Sequence, residues 1–114
     1  MPGCAAADLS PSDMENIHDL IINRRSIRRY TDQPVDADHV RLILEAGLMS
    51  PTSKNSRSWS FVVVEEKEML QRLGALKPSY AASIANAPLA IVVCSDMTKS
   101  EAWIEDASVA ASFM

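Results

Sequence analysis

Glycine is scarce in this sequence, with only Gly3, Gly47 and Gly74 in 114 residues. Neither a GxGxxG turn nor a P-loop can be assembled from them, so a bound nucleotide phosphate would have to be held by side chains. Cysteine is limited to Cys4, in an N-terminal stretch that reads as a tail, and Cys94, inside an apolar run; no disulfide framework follows. His18 and His39 are the only histidines, and no cysteine or carboxylate is spaced with them as metal ligands are. No Ser/His/Asp or Cys/His arrangement suggests nucleophilic catalysis. No apolar run approaches the ~20 residues of a membrane span. The opening "MPGCAAADLS" lacks the basic and long apolar regions of a signal peptide, so the expectation is a cytoplasmic protein without a membrane segment. Positive charge is also short: 11 Lys and Arg face 15 Asp and Glu, for a net charge of −4. That balance argues against a nucleic-acid partner, which calls for a broad basic face.

What is present suits one small domain. The chain is 47% hydrophobic and 23% charged, ordinary for a globular protein. Residues 1–11 read as a flexible tail and 12–114 as the domain. Ser12 and Glu15 form the S-x-x-E pattern of a capping box, and Met14, Ile17 and Ile21 follow at helical spacing, predicting a helix over 13–23. "IRRYT" (27–31) reads as a short extended piece. Asp36 is the expected N-cap of a second helix with Val40, Ile43, Leu44 and Leu48 as its apolar stripe. Pro51 breaks it, and "SPTSKNSRS" (50–58) reads as a polar loop. "WSFVVV" (59–64) and "LAIVVC" (89–94) read as buried strands. Between them lie a helix over 66–76, through Met69, Leu70, Leu73 and Leu76, and a short Ala-rich helix between Pro78 and Pro88. A last helix begins near Glu101. It reaches Phe113-Met114 on apolar residues without a stop signal, which predicts a chain cut within that helix. Helices alternating with two strands predict an α+β fold, an α/β layered sandwich.

The positive charge that exists is concentrated. "NRRSIRRY" (23–30) carries four arginines, and without them the chain would stand at −8. Like charges at i/i+4, such as Arg24 and Arg28, cost ~0.2–0.5 kcal/mol on a helix, so the cluster calls for an anion. One reading is a solvated basic face, or pairing with Asp32 or Glu15. The other is a phosphate monoester, which guanidinium forks bind bidentately. Ser26 adds a hydroxyl donor at the centre.

Taken together, "RRSIRRYTDQPV", a helix, "SPTSKNSRSWSFVVV", "NAPLAIVVC" and "WIEDASVAASFM" resemble the N-terminal half of the FMN-dependent nitroreductase family, over roughly residues 17–114. The resemblance implies a nitroreductase-like FMN-binding domain over 12–114, incomplete at its C-terminus. It implies that Arg24, Arg25, Ser26 and Arg28 bind the FMN phosphate and ribityl chain. It implies that Pro51, Thr52, Ser53 and Asn55 contact the FMN held mainly by a partner subunit, and that Tyr80 approaches the flavin. Arg29 is left as a surface residue. Trp103 begins what resembles the central dimer-interface helix, so the expected assembly is a homodimer with FMN at the interface. The family's loop commonly reads Asn-x-Gln-Pro-Trp, whereas this chain has Asn55-Ser56-Arg57-Ser58-Trp59. Lacking proline at position 58, that turn is expected to be less rigid.

The function so implied is NAD(P)H-dependent reduction of a nitroaromatic, quinone or related small-molecule oxidant through ping-pong flavin chemistry. No side chain is assigned a catalytic role, since the cofactor carries the chemistry. Two alternatives stay open: a phosphoanion-binding module without redox chemistry, and a truncated, non-catalytic phosphate/flavin-binding fragment. The remaining residues take plain structural readings. Trp59 and Phe61 are core strand residues, Cys94 is a buried small residue, and Trp103 is core or interface. Lys54 and Arg57 are solvated, and Glu105 and Asp106 form a polar helix face.

Overall fold

The computed structural model describes residues 17–114. The tail, Cys4, Met14 and the Ser12–Glu15 capping box lie outside them. Helix α1 spans Ile17–Asn23 and ends where Arg25 turns back on it. Arg25 Nη1 donates to Ile22 O and to Arg24 O, each at 2.8 Å, supplying a donor to carbonyls that a helix end leaves open. The short extended piece expected over 27–31 pairs with no strand among the described residues. Residues 24–31 have no regular structure, and Tyr30 Oη donates to Ile27 O at 3.0 Å within them.

Helix α2, Ala37–Leu48, begins as its sequence predicts: the Asp36 carboxylate accepts the Asp38 N–H at 2.8 Å. Arg41 pairs with Glu45 at 2.7 Å on the exposed side, a contact worth about 0.3–0.5 kcal/mol. Val40, Ile43 and Leu44 are half-buried, but Leu48, expected on the same stripe, is exposed because the chain turns out of the helix beside it. Ser50 marks that exit, its hydroxyl donating to Gly47 O at 2.7 Å.

Strands β1 (Trp59–Val64) and β2 (Ala90–Ser95) form an antiparallel pair in which Trp59 faces Ser95, Phe61 faces Val93 and Val63 faces Ile91. Side chains alternate across a strand, so these six residues share one face. That face is half-buried, and the Trp59 and Phe61 rings stack with centroids 5.4 Å apart. The opposite face is open: Ser60 pairs with Cys94 and Val62 with Val92, all exposed. Both runs were expected to be buried strands, and Cys94 a buried residue. Pleating puts Cys94 on the open face, so its thiol is exposed.

Helix α5, Trp103–Phe113, packs against both strands and α2. Gly47 allows this closeness, since a Cβ there would lie 3.1 Å from Phe61 Cζ and closer still to the Met114 side chain. Helix α3, Lys67–Leu76, packs on α4 (Pro78–Ala81) and on the 3-10 turn Ala82–Asn86 that follows it. The expected Ala-rich helix is therefore one short α-turn continued as 3-10. Of the α3 stripe, Leu70 is 2% exposed and Leu73 half-buried, while Leu76 points outward. The architecture is α+β. Leu70 and Ala110 are its fully buried apolar residues among those described. Large apolar side chains stay exposed on α1 (Ile17, Ile21, Ile22), on the open sheet face (Val62, Val92) and on α5 (Ile104, Phe113).

Candidate functional site

The arginine cluster occupies the irregular segment that leaves α1. Arg24, Arg25, Ser26, Arg28 and Arg29 are all exposed. Among the described residues no carboxylate is ion-paired with any of these arginines; the ion pairs present involve Arg41 and Lys99. Asp32 shares a cavity with Arg28 and Arg29 without pairing to them, and Glu15 lies outside the described residues. Arg25 spends part of its fork on the helix end, whereas Arg24 and Arg28 make no such bond among the described residues.

Arg28 borders two cavities. One, of about 460 Å³, is lined by Arg28, Ser79, Tyr80, Ala82, Ser83 and Asn86. The other, of about 760 Å³, adds Arg29, Asp32 and the start of α3. The fold thus brings Tyr80, 89% exposed, to the same cavity as Arg28 across more than fifty positions of sequence. Pro78 at the first helical position sets the turn that carries Tyr80.

The second group of predicted residues stands apart. Pro51, Ser53 and Asn55 are exposed and Thr52 half-buried, around the 3-10 turn Ser53–Asn55. A third cavity, of about 470 Å³, is lined by Ser53, Lys54 and Ser56 together with residues 97–102 and Glu105. None of the three cavities joins this loop to the arginines. Without proline at position 58, side-chain and backbone hydrogen bonds define the path of the loop. Lys54, Asn55 and Arg57 have φ of 54°, 53° and 47°, the left-handed region that side chains other than glycine rarely occupy. Thr52 Oγ1 accepts the Arg57 N–H at 3.1 Å, and Asn55 Oδ1 accepts Arg57 Nε–H at 3.0 Å. Ser58 is buried, its hydroxyl 2.9 Å from that of Ser95, and its carbonyl accepts the Asp96 N–H at 2.8 Å. Those bonds tie Ser58 to the end of β2.

Asp106 is the residue that sequence reasoning missed. It was expected on a polar helix face with Glu105, but only Glu105 is exposed; Asp106 is 5% exposed. Its Oδ1 accepts the Ser53 N–H at 2.8 Å, and its Oδ2 accepts the hydroxyls of Ser100 at 2.9 Å and Ser56 at 3.1 Å. The Ser53 N–H holds its pKa below the ordinary carboxylate value, burial pushes the other way, and the Ser100 and Ser56 hydroxyls lower it further. Its place in the first turn of α5 also favours negative charge. The only sequence signal was the serine content of 50–58 and Ser100, donors in search of an acceptor.

The sequence profile of the nitroreductase family matches residues 21–113. The chain belongs to the nitroreductase family. A solved FMN-dependent nitroreductase from Clostridium difficile R20291 superposes with a TM-score of 0.77 at 46% identity, covering 80% of this chain and 53% of that one. A Methanothermobacter thermautotrophicus relative, provisionally named an NADH dehydrogenase/NAD(P)H nitroreductase, is 36% identical over 98 residues, 83% of this chain and 51% of its own. An FMN reductase [NAD(P)H] from Bacillus subtilis is 29% identical over 93 residues, 82% of this chain and 37% of its own. The chain spans about half the length of the curated relatives first matched, 51% and 58%. The nitroreductase match runs through the arginine segment, the Ser53–Asn55 loop and α5 alike. No helix among the described residues is long and apolar enough to cross a membrane.

Proposed function

We propose that residues 12–114 form part of the FMN-binding domain of an NAD(P)H-dependent oxidoreductase that reduces nitroaromatics, quinones or related small acceptors. The observation that carries this is the nitroreductase match running through exposed arginines that have no carboxylate partner among the described residues. The donor set fits the cofactor's phosphate end. Arg24 and Arg28 offer guanidinium forks, Ser26 a hydroxyl, and Arg25 the remaining N–H groups of a guanidinium already bonded to the Ile22 and Arg24 carbonyls. Their positive charge would balance the phosphate dianion.

When bound, FMN supplies the redox chemistry, with NAD(P)H and the acceptor alternating in ping-pong order. This chain's residues bind and orient. Arg24, Arg25, Ser26 and Arg28 hold the phosphate and ribityl end, and Tyr80, which lines a cavity with Arg28, approaches the flavin. Pro51, Thr52, Ser53 and Asn55 contact the flavin held mainly by the partner subunit. Two features support that division in a homodimer: the loop and the arginines line separate cavities, and α1 and α5 expose apolar side chains. A cytoplasmic location belongs to the same reading.

The test is Arg28→Ala, read first by FMN titration of the flavin-free protein. Loss of one charge-assisted contact worth about 1.5–3 kcal/mol raises the Kd roughly 10- to 150-fold. Turnover per bound flavin should be retained. Turnover lost with FMN still fully bound would remove the arginine from this role.

A further inference from the structure

The left-handed loop over 53–57 has an unusual support. Lys54, Asn55 and Arg57 hold positive φ with no glycine among them; asparagine tolerates that region, but Lys54 and Arg57 have no local preference for it. Its ends are fixed by other elements: Ser50 bonds back to α2, and Ser58 bonds to the end of β2. The stretch between is tied to the rest of the fold by the Asp106 carboxylate. One oxygen takes the backbone N–H of Ser53, just before the left-handed pair; the other takes the hydroxyl of Ser56, just after it. Ser100 completes the set. Its hydroxyl donates to Asp106 and accepts the Ala102 N–H at 3.1 Å, which fixes the carboxylate against the start of α5.

Burying a carboxylate is unfavourable unless its oxygens are satisfied. Among the described residues Asp106 is the only buried group that carries charge; the other buried polar residues are Ser50, Ser58 and Ser100. One turn before the fully buried Ala110, this position carries a carboxylate because three donors converge on it. What the carboxylate adds is two-sided acceptance around Lys54 and Asn55.

Resting on the function proposed above, we infer that Asp106 is a positioning residue for flavin binding: from the first turn of α5 it sets the backbone of the Ser53–Arg57 loop, and so the placement of Thr52, Ser53 and Asn55 toward the cofactor, without touching the cofactor itself. Asparagine at 106 would still accept the Ser53 N–H. Its amide would face the two hydroxyls as a donor, which forces Ser100 and Ser56 to reverse. Alanine would leave the Ser53 N–H and both hydroxyls without their acceptor.

The test compares the full wild-type chain with Asp106→Asn, Asp106→Ala and, as a stability control in the sheet, Val93→Ala. Two quantities are read: backbone amide hydrogen exchange without flavin, and FMN affinity by titration. The expected result is faster exchange confined to residues 53–57 in Asp106→Ala. Its FMN Kd should rise about tenfold, the loss of roughly one hydrogen bond of preorganisation, with Asp106→Asn between it and wild type. Val93→Ala should leave both loop exchange and affinity near wild type. Three outcomes overturn the inference. Asp106→Ala could match wild type in affinity. Its exchange could rise equally in α3 and the sheet, showing a merely global role. Or the wild-type chain could take up no FMN, in which case the functional reading fails along with it, a result distinct from the other two.

Discussion

Gly74→Ala is a substitution for which sequence and structure predict opposite signs. Gly74 lies inside α3, and replacing an interior helical glycine by alanine normally stabilises by about 1 kcal/mol. Here an added Cβ would sit 2.9 Å from both the Cβ and the backbone nitrogen of Ala85, and 3.3 Å from Ala81 O. Two of those neighbours are backbone atoms, which cannot swing aside as a side-chain tip can. Overpacking of this kind costs about 1–3 kcal/mol. The contact lies at the tight end of that range, so the net effect is a loss of about 1–2 kcal/mol after the propensity gain. For a domain this small the melting temperature should fall by roughly 5–15 °C. Urea unfolding followed by the fluorescence of Trp59 and Trp103 measures it, with an unchanged m-value showing that the unfolded state is not the cause. The double variant Gly74→Ala/Ala85→Gly should recover part of the loss, because it removes the Cβ–Cβ conflict and keeps the contact with the Ala85 nitrogen. A Gly74→Ala protein more stable than wild type would refute the packing of α3 on residues 81–86. It would also loosen the placement of Tyr80, which the same segment carries.

The depressed pKa of Asp106 gives a pH signature. A carboxylate lowered in the folded state contributes stability that is fully present above its unfolded pKa and lost as pH falls through the folded one. Urea midpoints of Asp106→Asn should therefore fall less steeply than those of wild type below about pH 5, and parallel acid limbs would contradict the hydrogen bonds drawn to it. Cys94 gives a simpler check: in a Cys4→Ser background one thiol should react with a thiol reagent under native conditions, and a thiol accessible only after unfolding would mean that the open sheet face is covered.

Much of the chain's local structure was legible from local chemistry. Asp36 announced the start of α2 because a carboxylate at that position accepts a free helix N–H, and Pro51 announced its end. The β-branched and aromatic run 59–64 matches β1 to the residue, and β2 is displaced by one position. The arginine cluster was visible as a charge imbalance, and the serine-rich loop as a polar break. Burial was less legible. The run LAIVVC carries no polar residue to show which face is covered, so Cys94 was assigned inward and lies outward; in β1 the lone Ser60 marked the open face that Val62 shares. The stripe on α3 did not show that Leu70 would be buried and Leu76 exposed, since that depends on where the 82–86 turn lands.

The sequence by itself determined the segments, their caps and breaks, and the residue types able to hold an anion, because each depends on neighbours a few positions away. Tertiary structure decided which of those residues meet. It brought Tyr80 to Arg28, kept the Ser53–Asn55 loop in a separate cavity, and turned Asp106 from an apparent surface charge into the buried acceptor for Ser53, Ser56 and Ser100. The pairing of Asp106 with Ser53 spans 53 positions, and a hydrogen bond over that separation leaves no local pattern: it exists only once α5 has packed against the sheet.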